Sequence, residues 1–269
     1  CDMVDDAEMI DMVDAIMVMH EPSFIEKNWD KIKHKRVIWR SIGQSIPKVE
    51  QRLARYRDEG MQVVRYSPAE QTIRDNIGAD ATIRFYKDPA EFSGWNGADK
   101  SVVTFAQSMK SRGKYCNFEM FEKATEPFRC KLYGPNNEDV GDLNGGLLSY
   151  EDMKQKLRDA RVYFYTGTHP ASYTLNFMEA FMTGTPIVAI GAGWGNSKDF
   201  PDQRTYEIPS IILNGFNGYQ SDDIDALQKF IKLLMEDDSL AQQISTVGRQ
   251  RAIELFGKDL IAKQWKSFL

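Results

Sequence analysis

The sequence predicts an α/β protein built from parallel β-sheets, and three observations lead to this fold class. Strand-like and helix-like segments alternate from residue 49 to residue 86 and again from residue 101 onward, as they do in sheets whose strands are joined by helices. Several strand-like segments are continuous apolar runs, which is typical of strands buried on both faces of a parallel sheet. The third observation is residues 161–190, RVYFYTGTHPASYTLNFMEAFMTGTPIVAI, where a strand, a polar loop, a helix and a second strand follow one another.

Length and composition suit two domains or one large one, and they exclude several functional classes. The chain has 269 residues, of which 42% are hydrophobic, enough for globular cores. A net charge of -5 argues against a general nucleic-acid-binding protein. The three cysteines, Cys1, Cys116 and Cys130, are odd in number and lack the spacing of a metal site. Because no apolar run is long enough to cross a bilayer, and because a reduced protein explains the cysteines most simply, we expect a cytoplasmic protein.

The first hundred residues predict an incomplete Rossmann-like domain. Residues 6–13 have a helix pattern, and residues 15–19 form a strand that ends at His20. An ordinary doubly wound domain opens with a strand and a phosphate-binding turn, whereas this chain opens on a helix. The chain is therefore expected to be a fragment of a longer protein or to have an unusually short first domain. We expect a smaller sheet here than in the second half, with an edge that is exposed or completed by another chain.

A basic cluster surrounds the next predicted strand, at residues 37–40. Its members are Lys27, Lys31, Lys33, Lys35, Arg36 and Arg40. A solvated face is the favoured interpretation, and contact with an anionic acceptor or a membrane surface is the alternative. The rest of this half predicts, in order, a helix at 49–59, a strand at 61–66, a helix at 68–77, a strand at 81–86 and a linker at 87–100.

The chain from residue 101 onward predicts a second Rossmann-like domain. Its predicted strands are 102–106, 129–133, 162–165 and 187–190. Ser149 and Ser221 are predicted to cap helices, and Gly184 is predicted to end one as a left-handed C-cap. Two further helices close the chain. Residues 191–207 are glycine-rich at their start and are expected to form a lid.

The loop and helix start within residues 161–190 predict an anion-binding site. Ser172 or Thr174 caps the helix, and backbone N–H groups at residues 172–175 would be free to face a phosphate at the edge of the sheet. Glu179, one turn further on, could reach the hydroxyl groups of a sugar attached to that phosphate. The alternative is an ordinary strand–helix–strand unit with a solvated glutamate.

The segment ASYTLNFMEAFMTGTPIVA resembles the donor-site segment of retaining GT-B glycosyltransferases of the glycosyltransferase family 4 type. That family has two glutamates separated by seven residues, then a small-residue helix end and a Gly-x-Pro-hydrophobic-Val sequence. Glu179 stands at the second glutamate, and Gly184, Pro186 and Val188 match the residues after it. Ala171 stands where the first glutamate would be, which in the family contacts the transferred sugar. The resemblance implies a GT-B fold, with an incomplete N-terminal Rossmann-like domain at 1–97 on the acceptor side and a donor-binding Rossmann-like domain at 98–269.

The resemblance also implies roles for individual residues. Gln107 and Arg112 stand where the family has the arginine and the lysine that bind the donor diphosphate. His20 stands where a family histidine approaches the donor sugar, so His20 and Arg112 are the catalytic candidates. The remaining donor-binding candidates are Gly146 and Leu147, whose main chain would contact the base, the helix start at Ser172, Tyr173, Thr174 and Leu175, and Glu179. Since Gln107 offers only a neutral amide, we expect weaker diphosphate binding than with an arginine.

The activity implied by the resemblance is transfer of a sugar, of the hexosyl type, from a UDP- or GDP-linked donor with retention of configuration. The acceptor is unknown, and glycans or lipid-linked sugars are the candidates. No cofactor and no metal are expected, because the Asp223-Ile224-Asp225 sequence fits helix-start acids better than a metal site. Ala171 and Gln107 favour an alternative, a weakened nucleotide-sugar-binding pseudoenzyme or regulatory subunit. A nucleotide-sugar epimerase of the same fold is a third, less favoured interpretation.

Overall fold

Two parallel β-sheets, one in each half of the chain, form the framework of the protein. The computed structural model describes residues 7–196 and 204–269. The first sheet has four strands in the order β1-β2-β3-β4, which are Ala15–Met19 (β1), Arg36–Arg40 (β2), Gln62–Arg65 (β3) and Ala81–Thr82 (β4). The second has six strands in the order β10-β9-β8-β5-β6-β7, which are Asp99–Phe105 (β5), Cys130–Tyr133 (β6), Asn144–Gly146 (β7), Ala160–Tyr165 (β8), Ile187–Ile190 (β9) and Tyr219–Ser221 (β10).

Helices connect the strands and cover the sheets, as a parallel arrangement requires. Within the described ranges the α-helices are Ala7–Asp11 (α1), Pro22–Ile32 (α2), Pro47–Asp58 (α3), Phe118–Thr125 (α4), Tyr150–Asp159 (α5), Leu175–Thr183 (α6), Ala192–Gly195 (α7), Ile208–Ile211 (α8), Ile224–Glu236 (α9), Asp238–Phe256 (α10) and Lys258–Phe268 (α11). None of these helices is long and apolar enough to cross a membrane.

The second sheet has the strand order of a Rossmann domain. From β5 the chain moves outward through β6 to β7, then returns to the other side of β5 and continues through β8 and β9 to β10. The direction in which successive strands are added to the sheet reverses between β5 and β8, which makes this pair the topological switch point of the sheet. Gly184 ends α6 with a φ of 91°, so the predicted C-cap is confirmed.

The first sheet is smaller than the second, as the sequence predicts. Its strands are also all parallel, but they follow one another across the sheet without a reversal. The edge strand β1 leaves Met17 and Met19 40% and 51% exposed. Among the described residues β1 and β4 are the outer strands of this sheet, and an edge that is exposed or completed by another chain stays a prediction.

Three sequence predictions in this half are wrong in detail. Helix α2 was not predicted, although Ile25, Trp29 and Ile32 line its buried face. The helix predicted at 68–77 is only a 3₁₀ turn, Pro68–Thr72, which ends because Ile73 has an extended backbone with a ψ of 132°. The strand predicted at 81–86 ends at Thr82.

The basic cluster is not a single solvated face. The side chain of Arg40 is 2% exposed, and its guanidinium lies over the rings of Phe85 and Trp265. Arg36 donates hydrogen bonds to the carbonyl oxygens of Phe268 and Leu269 at the end of the chain. These two arginines anchor the C-terminal segment, because β2 lies where that segment packs.

The last helix crosses from the second half of the chain to the first sheet. Ile261 of α11 is buried in a small core with Ile38, Val64 and Ile83, one side chain from each of β2, β3 and the end of β4. The division into domains at 1–97 and 98–269 stays a prediction, and α11 contacts the sheet of the first part.

Candidate functional site

The loops at the switch point of the second sheet lie side by side. The loop after β5 and the loop after β8 are joined by two hydrogen bonds: the backbone N–H of His169 donates to the carbonyl of Tyr115 at 2.7 Å, and Nδ2 of Asn117 donates to the carbonyl of Thr166 at 2.9 Å. In open α/β sheets the crevice outside the strand ends at a switch point is the usual ligand site. The candidate site is therefore built around these two loops.

The start of α6 has the features of an anion site. Oγ1 of Thr174 accepts a hydrogen bond from the N–H of Phe177, so Thr174 and not Ser172 is the N-cap. The N–H groups of Leu175 and Asn176 find no acceptor among the residues that the structure describes. Together with the positive end of the helix dipole they could bind an anion.

Ser172 is not free to bind a ligand through its backbone. Its N–H donates to Oη of Tyr66 in the first domain at 2.5 Å, and the residue is fully buried. The hydroxyl of Tyr173 donates to the backbone carbonyl of Tyr66 at 2.7 Å. The expectation of free N–H groups along residues 172–175 is therefore wrong for Ser172, because Tyr66 enters the loop from the opposite domain.

Arg112 lies beside this loop. Burial raises the pKa of the Cys116 thiol, and the nearby charge of Arg112 and a hydrogen bond with Thr168 in the β8–α6 loop partly offset that rise. The guanidinium is half-buried and forms no ion pair within residues 7–196 and 204–269. Gln107, two residues beyond β5, is exposed. A cation and an amide thus stand on the loop after β5, which contacts the β8–α6 loop through Cys116 and Thr168.

Glu179 is held by a lysine that no sequence motif marks. The carboxylate is 7% exposed, and Nζ of Lys87 lies 2.5 Å from its Oε1. Lys87 belongs to the linker between the two sheets. Partial burial and the charge of Glu91, with a smaller contribution from Glu179, raise the pKa of Tyr150 to about 12. Glu179 is therefore neither solvated nor free, since one oxygen already accepts from Lys87.

Gly146 and Leu147 lie at the end of β7, the outermost strand on one side of the second sheet. Gly146 has a φ of 79°, and its carbonyl accepts a hydrogen bond from the N–H of Gly134 at 3.0 Å. Leu147 is 76% exposed. A contact of their main chain with the base stays a prediction.

The two domains also contact each other through a buried ion pair. Arg84, just beyond β4, binds both carboxylate oxygens of Glu207, and the hydroxyl of Ser67 donates to Oε2 of Glu207 at 2.6 Å. The predicted lid spans residues 191–207, and residues 197–203 lie outside the described residues. Its end at Glu207 is fixed to the first domain.

A cavity of about 210 Å³ lies between the domains at this junction. First-domain residues and the start of α6 line it: Ile42, Tyr66, Phe85, Ala171, Tyr173, Thr174 and Leu175. The two domains approach closely beside it, because a Cβ built on Gly43 would lie 3.0 Å from Cβ of Ala171. Tyr66, Arg84 and Glu207 were not among the predicted site residues, since no motif marks contacts between distant segments.

His20 is not among the residues that the structure brings together at the cavity. It follows β1, the outermost strand of the first sheet, whereas the cavity wall of this domain comes from the segments after β2, β3 and β4. The side chain is exposed and forms no hydrogen bond or ion pair with another described residue. Its catalytic role stays a prediction.

The acidic residues at positions 223 and 225 lie at the start of helix α9. Oδ1 of Asp223 accepts a hydrogen bond from the N–H of Ala226 at 2.7 Å, so Asp223 caps α9 and the predicted cap at Ser221 is wrong. Ser221 is instead the last residue of β10. Among the described residues no group of three or more His, Cys, Asp or Glu side chains could hold a metal ion.

Several solved structures have a fold similar to that of this chain. HepE of Anabaena, in complex with UDP and glucose, matches with a TM-score of 0.72 and 15% identity over 97% of this chain and 80% of that chain. A glycosyltransferase from Rickettsia africae matches with a TM-score of 0.70 and 13% identity over 97% and 78%. An α-glucosyltransferase in complex with UDP-glucose and DNA matches with a TM-score of 0.63 and 11% identity over 99% and 83%.

These similarities establish the fold. The two parallel sheets and the near-complete overlap with HepE identify the architecture as GT-B, which confirms the fold class that the sequence predicts. No model of a known protein family matches the chain. No curated protein sequence matches it either.

Proposed function

We propose that this protein is a retaining glycosyltransferase of the family 4 type that transfers a hexosyl group from a UDP- or GDP-linked sugar to an acceptor. The observation that carries the proposal is the start of α6 at the switch point between β5 and β8. Its unpaired N–H groups at Leu175 and Asn176 lie next to a cavity between two domains. HepE has the same architecture and binds UDP, and its complexes support this interpretation.

In this proposal the donor diphosphate binds at the start of α6. The helix dipole and the guanidinium of Arg112 stabilise the charge that develops on the leaving group. Gln107 adds a neutral hydrogen bond, which contributes less than a charged one would. Because fixed positive charge is already present at the leaving group, neither a metal ion nor a cofactor is required for its departure.

The nucleoside binds on the other side of the diphosphate. The second oxygen of Glu179 accepts from the ribose hydroxyl groups while Lys87 holds the first, and the main chain at Gly146 and Leu147 contacts the base. His20 is retained as the catalytic candidate of the first domain. The acceptor, a glycan or a lipid-linked sugar in this proposal, approaches from residues 1–97.

A cytoplasmic location and a reduced protein are also part of the proposal. The thiols of Cys116 and Cys130 are buried and form no disulfide, which fits a reducing compartment. Burial raises the pKa of Cys130 to about 12, so this thiol stays neutral and unreactive at physiological pH.

Nucleoside diphosphates should stabilise the fold. At a UDP or GDP concentration near 100 times the dissociation constant, linkage gives about 2.7 kcal/mol, or several degrees in melting temperature. Thermal unfolding of the purified protein with UDP, GDP, ADP and CDP measures this directly. If none of them at millimolar concentration shifts the transition, the donor site is wrongly assigned.

Two arginines provide a matched test of the diphosphate site. Arg112→Gln should weaken UDP or GDP binding about tenfold, because a charge-assisted hydrogen bond is replaced by a neutral one. Arg129→Gln is the control. Arg129 is an exposed cation that pairs with Asp99, and it precedes β6, so it lies at the amino ends of the strands, away from the loop that carries Arg112. Equal affinities in the two variants would contradict the role of Arg112.

A nucleotide-sugar-binding protein without transferase activity is the second candidate. Ala171 supports it, because no carboxylate stands at that wall of the cavity, and Gln107 supports it by its lack of charge. Donor hydrolysis and transfer assays with UDP-glucose separate the two candidates. Binding of the intact donor without any turnover would favour the second.

A further inference from the structure

The cavity between the domains has a chemical character that points to a class of donor sugar. We propose that it receives the methyl group of a donor sugar, either the C6 methyl that replaces the hydroxymethyl group in a 6-deoxyhexose or the methyl of an N-acetyl group. This inference rests on the proposed function, because it takes the donor phosphate to lie at the start of α6. Thr174 and Leu175 belong to that helix start and also line the cavity, so a sugar attached to the phosphate would enter it.

The walls of the cavity are largely apolar and aromatic. Ile42 and Phe85 form the wall from the first domain, and Ala171 and Leu175 form the wall from the second. Within the described part of the chain no carboxylate, amide or cationic side chain lines it. Protein sites that bind several sugar hydroxyls need such groups, because a buried hydroxyl without a partner is costly.

Each hydroxyl group that lines the cavity already takes part in one hydrogen bond within the protein. Oη of Tyr66 accepts from the N–H of Ser172, and the hydroxyl of Tyr173 donates to the carbonyl of Tyr66. Oγ1 of Thr174 accepts from the N–H of Phe177. The O–H of Tyr66 remains as a donor, but the other walls are apolar, so a methyl group packed on Phe85 or Ile42 fits them better than a hydroxyl does.

The close packing of the two domains fixes the apolar wall at Ala171. The backbone of Gly43 approaches so closely that its own Cβ would lie 3.0 Å from the methyl of Ala171. The junction is built around small residues at both positions.

Arg40 is a buried cation behind the Phe85 wall, and its charge could favour an acidic sugar. Its guanidinium lies 4.8 Å from the centroid of the Phe85 ring and 5.5 Å from that of Trp265, and the side chain is 2% exposed. Burial lowers its pKa to about 10, so it stays charged at neutral pH. Because the guanidinium is not part of the cavity wall, a carboxylate in the cavity would gain no direct ion pair.

Calorimetric titration with matched donor pairs tests the proposal. UDP-N-acetylglucosamine is compared with UDP-glucose, GDP-rhamnose with GDP-mannose, and UDP-glucuronate is added as the acidic donor. We expect one methyl-bearing donor to bind about tenfold more tightly than its matched partner, from burial of the methyl and removal of an unpaired hydroxyl. The pair that shows the preference identifies which methyl the cavity takes.

The outcomes are distinct. The proposal is overturned if UDP-glucose and GDP-mannose each bind as tightly as their methyl-bearing partners, or more tightly. It is also overturned if UDP-glucuronate binds most tightly of all. Either result leaves a nucleotide site in place. If neither free UDP nor free GDP binds, the proposed function itself fails. Ile42→Asn, which makes the wall polar, should reduce the preference toward unity, whereas Leu233→Asn, an exposed leucine on α9, should preserve it.

Discussion

A single ion pair connects the linker to the helix of the candidate donor site. Lys87 and Glu179 are separated by 92 residues, and their side chains are 15% and 10% exposed. From the sequence alone, Glu179 is a surface residue whose loss would affect nucleotide affinity and leave stability unchanged. The pair alters that expectation, because removing one member of a buried pair leaves an uncompensated charge behind.

A double-mutant cycle should reveal this dual role. We expect Lys87→Met and Glu179→Gln each to lower the free energy of unfolding by about 1–3 kcal/mol, with the double variant costing less than the sum. Glu179→Gln should also weaken UDP or GDP binding about tenfold, through the hydrogen bonds that the carboxylate offers to ribose. Urea unfolding and calorimetric titration measure the two effects separately.

The exposed pair Glu119–Lys123 on α4 is the matched control. Its atoms lie 2.6 Å apart, a distance similar to that between Lys87 and Glu179, but its side chains are 63% and 52% exposed. Breaking it should change stability by less than about 0.5 kcal/mol. If both pairs behave alike, burial has no part in the stability that the Lys87–Glu179 pair contributes.

At the scale of elements, α11 is held by one deeply buried side chain. Ile261 is 1% exposed and fills the small core on the first sheet, whereas its neighbour Leu260 is 40% exposed. Ile261→Ala should lower the free energy of unfolding by about 2–4 kcal/mol through the cavity that it leaves. Leu260→Ala should cost less than about 0.5 kcal/mol. Comparable losses in urea unfolding would mean that α11 is not docked on the sheet.

Elements with strong local signals could be predicted from the sequence. The strands at β1 and β9 agree with their predicted bounds, because each is a continuous apolar run. Helix α2 was missed because five lysines between residues 27 and 48 suggested a solvated segment, while its apolar stripe at Ile25, Trp29 and Ile32 was overlooked. The chain after β4 does not continue as the predicted strand, because Arg84 contacts Glu207 of the other domain.

The features of the candidate site likewise fall into those that could be predicted from the sequence and those that could not. The cap at Thr174 and the turn at Gly184 follow from local backbone chemistry, so they could be read from residue types. The partners of Glu179 and of the Ser172 N–H could not, because Lys87 and Tyr66 reach them only after two domains pack. The sequence contains no periodicity that encodes such a contact.

On the scale of the whole molecule, the two domains meet at a glycine. Gly43 has a φ of 95° and faces Ala171, whereas Gly60 has a φ of 106° and no atom within 4 Å of the position that a Cβ would take. Both glycine-to-alanine variants incur the backbone cost of about 1 kcal/mol. Only Gly43→Ala adds a clash between domains. We therefore expect it to lower nucleotide affinity and to lower the free energy of unfolding by more than Gly60→Ala does.

Gly60→Ala serves as the control for that experiment. It should show only the backbone penalty in urea unfolding and leave UDP or GDP affinity unchanged. If Gly43→Ala matches it in both measurements, the approach at Ala171 does not define how the domains are arranged.

The return of α11 to the first sheet has a mechanical consequence. The chain passes between the domains twice, once through the linker and once just before α11, and the two passages touch: the N–H of Lys87 donates to the carbonyl of Phe256 at 2.9 Å, and Lys87 pairs with Gly257 in a β-bridge. Two crossings at one place act as a hinge with a single pivot. Opening of the cleft would then be a rotation of the two domains about this point. Because Lys87 lies at the pivot, the rotation would also act on its ion pair with Glu179.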